Sequence, residues 1–318
     1  MLTRRSFAAA SAAALVPSPL LAQARYPVPT VTLVTHSSPG GGSDVFLREL
    51  IKHLQPVMGV NFAVENVRGG SGATAVARVA RARPDGSMFY ATTPTYIQTT
   101  LLSRPEFGYD ALDPLAIVFL DPEVIYTRAE SPFRTLADAV AHAKANPGRQ
   151  KWGAANPASL ERIAFERMSR LIGARAAVVS HEGGGDLMIN VLNGTLDLGI
   201  GEIQEIRSQL EAGRIRLLAV VTEARLPDFP DLATAREQGV DLVVTKFRGL
   251  AGPKGIPDEV AAIWHEALRR VLESPAYRAQ YAKESLVPAL MARDEARRFT
   301  TAFAAEVERD LRELGVVR

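Results

Sequence analysis

The stretch PGGGSD at residues 39–44 lies between an apolar strand and an amphipathic helix. The segment before it, Thr30–Val34, is rich in β-branched residues, and the segment after it, Val45–Leu54, repeats apolar residues at helical spacing. Three glycines at a helix N-terminus leave backbone N–H groups free, and the helix dipole adds partial positive charge there. The stretch therefore predicts a site for an anionic group such as a carboxylate or a phosphate.

The rest of the chain alternates between strand-like and helix-like segments. Further strands are predicted at residues 60–64, 87–92, 115–120, 123–127, 151–155, 176–180, 197–200, 215–221 and 242–244. Further helices are predicted at residues 73–82, 136–145, 160–172, 186–192, 258–272 and 295–314. This alternation predicts an α/β fold with mostly parallel sheets flanked by helices.

Two more loops resemble the first in composition and position. Residues 153–159 (GAANPAS) and 181–186 (HEGGGD) each connect a predicted strand to a predicted helix, with Ser159 and Asp186 as the expected N-caps. In open α/β sheets, ligands bind beyond the C-terminal ends of the strands, where such loops lie. A single glycine turn is often only structural, but three together favour a binding cleft.

The N-terminal residues have the pattern of an export signal. Arg4 and Arg5 precede an apolar stretch at residues 8–16, and Ala22–Ala24 forms a small-x-small cleavage site. Residues 1–24 are therefore predicted to be a signal peptide, of either the twin-arginine or the general secretory type. The chain has no cysteine for a lipid anchor and no other apolar stretch of the roughly 18 residues that a membrane span needs. We expect a soluble periplasmic protein without a lipid anchor.

The charge balance excludes several classes of partner. Without Arg4 and Arg5, the number of Lys and Arg residues falls from 37 to 35, which equals the number of Asp and Glu residues. No basic run with interleaved aromatic residues appears, so we expect no nucleic-acid partner. The five histidines have no metal-ligand spacing, and a dinucleotide-like pattern at residues 70–75 has little meaning in an exported protein. We therefore expect neither a metal site nor a cofactor.

A family resemblance emerges from the order of several motifs. Those motifs are PGGGSD at 39–44, VENVRGGSG at 64–72, ARPDG at 82–86, HEGGGD at 181–186, NGTLD at 193–197 and GLAGP at 249–253. In this order and spacing, the chain resembles the Bug-type periplasmic solute-binding receptors of the tripartite tricarboxylate transporter family over nearly its whole length after the signal.

The resemblance implies a two-domain periplasmic-binding-protein fold of the Venus flytrap type. Domain 1 would comprise residues 25–121 and 247–318, and domain 2 residues 122–246, with hinge crossings near 121–123 and 246–249. It further implies a monomer that is not an enzyme. This receptor would capture a small carboxylate or an amino-acid-like zwitterion and present it to membrane transporter subunits or to a sensor ectodomain.

The resemblance also indicates which residues bind the ligand. From the first and third loops it implies the residues Ser37, Ser38, Gly41, Gly42, Ser43, Asp44, Gly184, Gly185 and Asp186. Residues at neighbouring strand ends or loops complete the candidate set, namely Thr93, Asn156, Ser159, His181 and Glu202.

Two glutamates depart from the usual family pattern. Glu182 follows His181 in the third loop, and Glu202 follows the strand at 197–200. If both face the cleft, the ligand should carry a cationic or strongly hydrogen-bond-donating group, as an amino acid or a nitrogen heterocycle does. Alternatively, both side chains are solvated in the first turns of helices, where the dipole favours them.

Two other functions remain as alternatives. Residues 69–73 (GGSGA) are one residue short of a nucleophile-elbow pattern, so Ser71 with His181 could be imagined in an exported hydrolase. The other alternative is a ligand sensor that only signals, because transport and signalling differ in the partner and not in the receptor.

Overall fold

The computed structural model of the chain describes residues 26–313 and 315, so the predicted signal peptide lies outside the described residues. The strands, in chain order, are β1 Thr30–Thr35, β2 Asn61–Asn66, β3 Met88–Thr92, β4 Leu112–Leu120, β5 Glu123–Arg128, β6 Lys151–Ala154, β7 Ala177–Ser180, β8 Leu198–Glu202, β9 Ile215–Val220, β10 Phe247–Pro253 and β11 Val287–Met291. The helices are α1 Gly42–Met58, α2 Ala73–Ala80, α3 Pro94–Ser103, α4 Leu136–Ala145, α5 Leu160–Leu171, α6 Gly184–Leu192, α7 Ile203–Glu211, α8 Asp258–Glu273, α9 Pro275–Lys283 and α10 Arg293–Glu313.

The strands form two sheets with helices packed against them, as the α/β prediction requires. One sheet has the order β11-β4-β10-β3-β1-β2, and the other has the order β7-β6-β8-β5-β9. β1 pairs in parallel with β2 and β3, and β6 pairs in parallel with β7 and β8. The remaining pairs are antiparallel. The α/β fold class is confirmed, but both sheets are mixed and not mostly parallel, because β10 and β11 run against the other strands of the first sheet and β5 runs against those of the second.

Each sheet buries its own apolar side chains. Trp264 of α8 is fully buried in the first core, where its indole N–H donates to the Tyr26 hydroxyl at 2.8 Å. Trp152 of β6 is fully buried in the second core, with its ring centroid 5.2 Å from that of Phe165. Both tryptophans are therefore core residues, in which a large apolar ring is buried and any polar edge is hydrogen bonded.

The connections that matter for function lie at the C-terminal ends of parallel strands. β1 leads through residues 36–41 into α1, and β3 leads through Thr93 into α3. In the other sheet, β6, β7 and β8 lead into α5, α6 and α7. Because parallel strands end at the same edge of a sheet, these five connections are gathered at two edges, one from each sheet.

Several local expectations differ from the structure. Residues 242–244 form no strand and instead run as an extended connection, while α3, α9, β10 and β11 were not among the expected elements. Helix α6 begins at Gly184 with Gly183 as its N-cap, so the prediction of Asp186 as N-cap is wrong. The prediction for Ser159 is confirmed, because its hydroxyl accepts a hydrogen bond from the backbone N–H of Arg162 at 3.1 Å.

Within residues 26–313 and 315, no helix combines the length and the apolar character needed to cross a membrane.

The last helix is attached to the first sheet by a carboxylate of β4. Asp113 accepts hydrogen bonds from Arg293 and Arg297 of α10, at 2.5 and 2.7 Å. Since its side chain is only 11 % exposed, this pairing should be partly shielded from water. We expect Asp113→Asn to lower the free energy of unfolding by about 1–2 kcal/mol, measured by urea unfolding. Asp294→Asn, an exposed partner of the same Arg297, should change it by less than about 0.5 kcal/mol, and equal effects would contradict this account.

Candidate functional site

The loops at the two sheet edges meet face to face across a cleft. Asp186 of α6 pairs with Arg68 of the first sheet's side at 3.2 Å. A Cβ atom added to Gly183 would lie 3.1 Å from the backbone nitrogen of Ser38, and one added to Gly185 would lie 3.3 Å from the Pro39 carbonyl oxygen. These contacts describe a closed cleft in which the first and third loops touch.

A small void remains inside the cleft, with a volume of about 30 Å³. A volume of this size accommodates two or three water-sized groups. The residues that line it come from both sides and are His36, Ser37, Gly42, Ser43, Thr93, Thr95, Ala155, Asn156, Glu161, Glu182, Gly183, Gly184, Glu202, Glu205, Lys246 and Arg248.

The first buried group beside the void is centred on Lys246. Its ammonium donates to Glu123 at 2.7 Å and also contacts the carboxylates of Glu161 and Glu202. All four side chains are at most 5 % exposed. The three carboxylates lie close enough together to share a metal ion, but the lysine ammonium already contacts all of them. The ammonium group of Lys246 therefore occupies the position that a metal ion would need.

The second buried group is centred on Arg248. Its guanidinium donates to Asp121 at 2.6 Å and to the Ser43 hydroxyl at 2.7 Å, and it also contacts Glu202. Asp121 accepts a further bond from Gln204 at 3.0 Å. Arg248 therefore connects the start of α1 to a glutamate that belongs to the other sheet.

Glu205 lies at the N-terminal ends of two helices. Its carboxyl group accepts the backbone N–H of Gly42, in the first turn of α1. It also packs so closely on Gly184, at the start of α6, that a Cβ atom there would overlap it. Helix N-termini attract anions through free N–H groups and the helix dipole. The anion position predicted from PGGGSD is therefore taken by a side chain of the protein itself.

The carboxyl groups of the cleft differ in the direction in which their pKa values are shifted. Burial raises the pKa of Glu123 and of Glu205 well above the usual range, and nearby carboxylates raise both further. Burial also acts to raise the pKa of Glu161 and of Glu202, but Lys246 together with further charges and hydrogen bonds outweighs it, and both pKa values are lowered. Burial raises the pKa of Asp121 to about 6 despite Arg248. Glu123 and Glu205 are therefore the two carboxyl groups of the cleft that are hardest to ionise.

His36 is held neutral beside this cluster. Burial, followed by the charges of Lys246 and Arg248, lowers the pKa of His36 to about 4. Its Nδ1 lies 2.7 Å from the Tyr90 hydroxyl. At neutral pH the imidazole is thus a hydrogen-bonding group of the cleft and not a charge.

Half of the candidate site residues line the void. These are Ser37, Gly42, Ser43, Thr93, Asn156, Gly184 and Glu202. The other candidates lie nearby without lining it, and they are Ser38, Gly41, Asp44, Ser159, His181, Gly185 and Asp186. Glu202 is buried, so the alternative that it is solvated is wrong, whereas Glu182 is exposed at the rim.

Some of the residues outside the lining have identifiable structural contacts. Asp44 accepts from Gly40 at 2.9 Å, from Arg48 at 2.9 Å and from Asn66 at 3.0 Å, so its carboxylate orders the first loop. Asp186 is bonded across the cleft to Arg68. These contacts hold the loops in place around the void.

Five charged residues that line the void were not among the candidates, namely the exposed Glu182 together with Glu161, Glu205, Lys246 and Arg248. Glu161 and Glu205 lie in the first turns of α5 and α7, where a glutamate normally indicates only dipole compensation. One signal in the sequence could have indicated the charged cluster. Lys246 and Arg248 lie on either side of Phe247, at the edge of a strongly apolar segment. Charges at alternating positions of a buried strand need partners.

Ser71 does not have the contacts of an activated nucleophile. Its backbone is in the left-handed region, with φ 53°. Within residues 26–313 and 315, no hydrogen bond joins its hydroxyl to a histidine, and the nearby His36 uses Nδ1 on Tyr90. The hydrolase alternative therefore gains no catalytic pair from this geometry.

The Lys246 cluster predicts a large effect of removing its cation. Lys246→Met would leave the carboxylates of Glu123, Glu161 and Glu202 buried without their shared partner. We expect a loss of about 3–5 kcal/mol in unfolding free energy at pH 8, measured by urea unfolding. The loss should be smaller at pH 5. Without Lys246 the buried carboxyl groups have raised pKa values, so at pH 5 they bind protons in the folded variant and no longer carry uncompensated charge. Lys144→Met, on the exposed face of α4, should be nearly neutral, and a similarly neutral Lys246→Met would contradict the cluster's role.

The lowered pKa of His36 predicts a specific titration. In the folded protein its ring nitrogens should keep the NMR shifts of a neutral imidazole from pH 8 down to about 5. Since an unfolded histidine titrates near 6.5, His36 contributes stability that is full above that pH and is lost as the pH falls towards 4. A midpoint near 6.5 in histidine-selective ¹⁵N spectra of the folded protein would contradict this.

Comparisons with known proteins agree with this architecture. A 28 % identical relative from Agrobacterium vitis, named "UPF0065 protein in the TAR-I ttuE-ttuC' intergenic region", covers 93 % of this chain and 87 % of its own length. The solved structure of R. palustris Rpa4515 with adipate is 25 % identical, with a TM-score of 0.87 over 92 % of this chain and 99 % of that one. The periplasmic binding protein BugD is 22 % identical, with a TM-score of 0.84 over the same shares, which shows a common fold.

The decisive comparison is with the family itself. The sequence profile described as "Tripartite tricarboxylate transporter family receptor" matches residues 46–316, which is most of the chain. The chain therefore belongs to the tripartite tricarboxylate transporter receptor family and is a Bug-type solute-binding receptor.

Proposed function

We propose that this receptor captures a small organic solute in the cleft between two domains and delivers it to membrane transporter subunits. The carrying observation is the void enclosed by loops from both sheets, whose lining is polar and mostly buried. The relative of known structure that was solved with adipate supports a small carboxylate as the ligand. A small carboxylate or amino-acid-like ligand would enter when the loops separate.

The proposed domains follow the two sheets. Domain 1 is residues 25–121 with 247–318, and domain 2 is residues 122–246. The first crossing lies between β4 and β5, and the second leads into β10. The two crossings are bonded to each other, because the Asp121 N–H donates to the Lys246 carbonyl at 3.0 Å and Arg248 holds the Asp121 carboxylate. A hinge near 121–123 and 246–249 would let one domain rotate while these bonds persist.

In this proposal, the ligand completes hydrogen bonds that the closed protein leaves open. Thr93 is 2 % exposed and lines the void, and its hydroxyl has no hydrogen-bond partner among the described residues. Ser37 and Asn156 add further polar groups from the first and second loops. Burying such groups opposite a mismatched ligand is unfavourable, which gives the cleft its selectivity.

The capture role has consequences for the partners and for catalysis. A receptor that closes on its solute presents a different surface from the open form, and a transporter or a sensor ectodomain could each recognise that surface. We propose that it acts as a monomer without enzymatic turnover. The void adjoins no activated nucleophile among the described residues, and Ser71 lies outside its lining.

A thermal-shift screen of the exported chain, residues 25–318, tests the proposal. We expect one chemical class among small carboxylates, amino acids and amines to raise the melting temperature by several degrees, since ligand at a hundred times its Kd adds about 2.7 kcal/mol. Thr93→Val should weaken the shift, whereas Thr301→Val on the exposed face of α10 should not. Small-angle X-ray scattering should show a decrease in radius of gyration on binding if the free form is open.

Two results would contradict the proposal. One is a set of shifts that Thr93→Val leaves unchanged, because the ligand would then bind elsewhere. The other is turnover of generic esters or amides that disappears in Ser71→Ala, which would favour the hydrolase alternative.

A further inference from the structure

The buried charges of the cleft are unbalanced. Four acidic side chains are buried there, namely Asp121, Glu123, Glu161 and Glu202, and Glu205 is half-buried beside them, against the two buried bases Lys246 and Arg248. Lys246 is shared among Glu123, Glu161 and Glu202, and Arg248 is shared between Asp121 and Glu202. Both bases are therefore already surrounded by acids.

Glu205 is the acid without a basic partner. Within residues 26–313, no lysine, arginine or histidine forms an ion pair with it. Its carboxyl group is held by the Gly42 N–H and packs on Gly184, with Glu202 as a close acidic neighbour. Burial, the Glu202 charge and a hydrogen bond with the Glu202 carboxyl group raise the pKa of Glu205 well above its usual range, so ionising Glu205 is unfavourable without a cation beside it.

Oxygen acceptors from both sheets line the same void. The Thr93 hydroxyl has no hydrogen-bond partner among the described residues, whereas the Glu161 carboxylate is bonded to Lys246 and to the carboxyl group of Glu123. Thr93 and Glu161 are at most 3 % exposed and line the void together with Glu205. Oxygen acceptors on opposite sides of a small void match a group that donates several hydrogen bonds, as an ammonium does.

The position for a ligand carboxylate, by contrast, is already filled. The free N–H groups at the starts of α1 and α6 are the natural anion site of the cleft, and the Glu205 carboxyl group lies against both. An incoming dianion would have to displace Glu205 and would meet four other acids. A cation would instead find the partner that Glu205 lacks.

We infer that the head group bound in this cleft is cationic, a primary ammonium or a similarly small organic cation, and that Glu205 with Glu161 and Glu202 selects it over a carboxylate. This inference rests on the proposed capture function and names the class of its ligand. The rim residue Glu182 extends the acidic surface to the entrance of the cleft.

Three ligands with five-carbon chains test the inference. Glutarate carries two carboxylates, 5-aminopentanoate carries one carboxylate and one ammonium group, and 1,5-diaminopentane carries two ammonium groups. Binding to the exported chain, residues 25–318, is measured by isothermal titration calorimetry at constant ionic strength. We expect the two ammonium-bearing probes to bind at least tenfold more tightly than glutarate.

Substitutions assign the preference to the carboxyl group. Glu205→Gln keeps the shape and removes the charge, so it should weaken the ammonium-bearing probes at least tenfold and narrow or reverse the preference over glutarate. Glu211→Gln, at the exposed end of the same helix α7, is the matched control and should leave all three affinities unchanged. Circular dichroism melting verifies that each variant is folded, and Glu161→Gln replaces Glu205→Gln if the latter is not.

The outcomes separate this inference from the capture function. Tight binding of glutarate alone would overturn the cation preference and would still support a solute receptor. Unchanged ammonium affinities in Glu205→Gln and Glu161→Gln would also overturn it. Failure of all three probes would overturn it as well, and the capture function would then be decided by the wider screen with Thr93→Val.

Discussion

The closed cleft depends on one electrostatic constraint, which is that two buried bases must be shared among four buried acids, with the half-buried Glu205 beside them. Lys246 and Arg248 stand two residues apart on the connection that enters β10. Their partners come from β5, α5, the end of β8 and the residue that follows β4. Such a network contributes little net stability compared with an apolar core, but removing one member leaves the others uncompensated. Its effect is to fix the geometry in which the elements of both sheets meet.

The same network couples the cleft to the crossings between the sheets. Asp121 and Lys246 are joined through the backbone, and Arg248 extends from that junction to Ser43 at the start of α1 and to Glu202 at the end of β8. A change of charge in the cleft therefore acts on the segments about which the domains would rotate. Because buried carboxyl groups repel each other strongly at low dielectric, any opening that admits water relaxes the network. Closure of the cleft and the charge state of its carboxyl groups therefore depend on each other.

Sequence patterns predicted the α/β class and most of its elements because the signals for these are local. β1, α1 and the loop between them follow from β-branched residues, an apolar helical stripe and glycines within about thirty residues. Residues 242–244 were misassigned because a run of leucine and valine has strand composition, while the neighbouring chain offers it only isolated backbone bonds such as that from Val244 to Val221. α3 was missed because its sequence, with Thr93 and Pro94 at its start, is rich in threonine and has little helical periodicity. The mixed sheets require knowledge of how the chain crosses between them, which no local pattern contains.

The charged part of the site could be predicted only in part, because its members are distant in sequence. Glu202 was identified from its position after a strand, but Glu161 and Glu205 have the appearance of ordinary first-turn glutamates until the fold buries them. Lys246 is 85 residues from Glu161 and 123 residues from Glu123. Their pairing is a tertiary property, although two bases flanking a buried Phe247 already require acidic partners somewhere in the core.

The glycines of the first and third loops show how a correct local prediction can be satisfied in an unexpected way. PGGGSD predicts an anion at the start of α1, and an anion-forming group is found there, but it belongs to Glu205. A Cβ atom on Gly42 would overlap the Arg248 guanidinium and crowd Glu202, and one on Gly184 would overlap Glu205. The absence of side chains at these positions makes room for the protein's own charged groups before any ligand arrives. In this receptor, glycine loops at helix N-termini therefore specify where negative charge is stabilised, while the identity of the ligand depends on the charge that the surrounding side chains still lack.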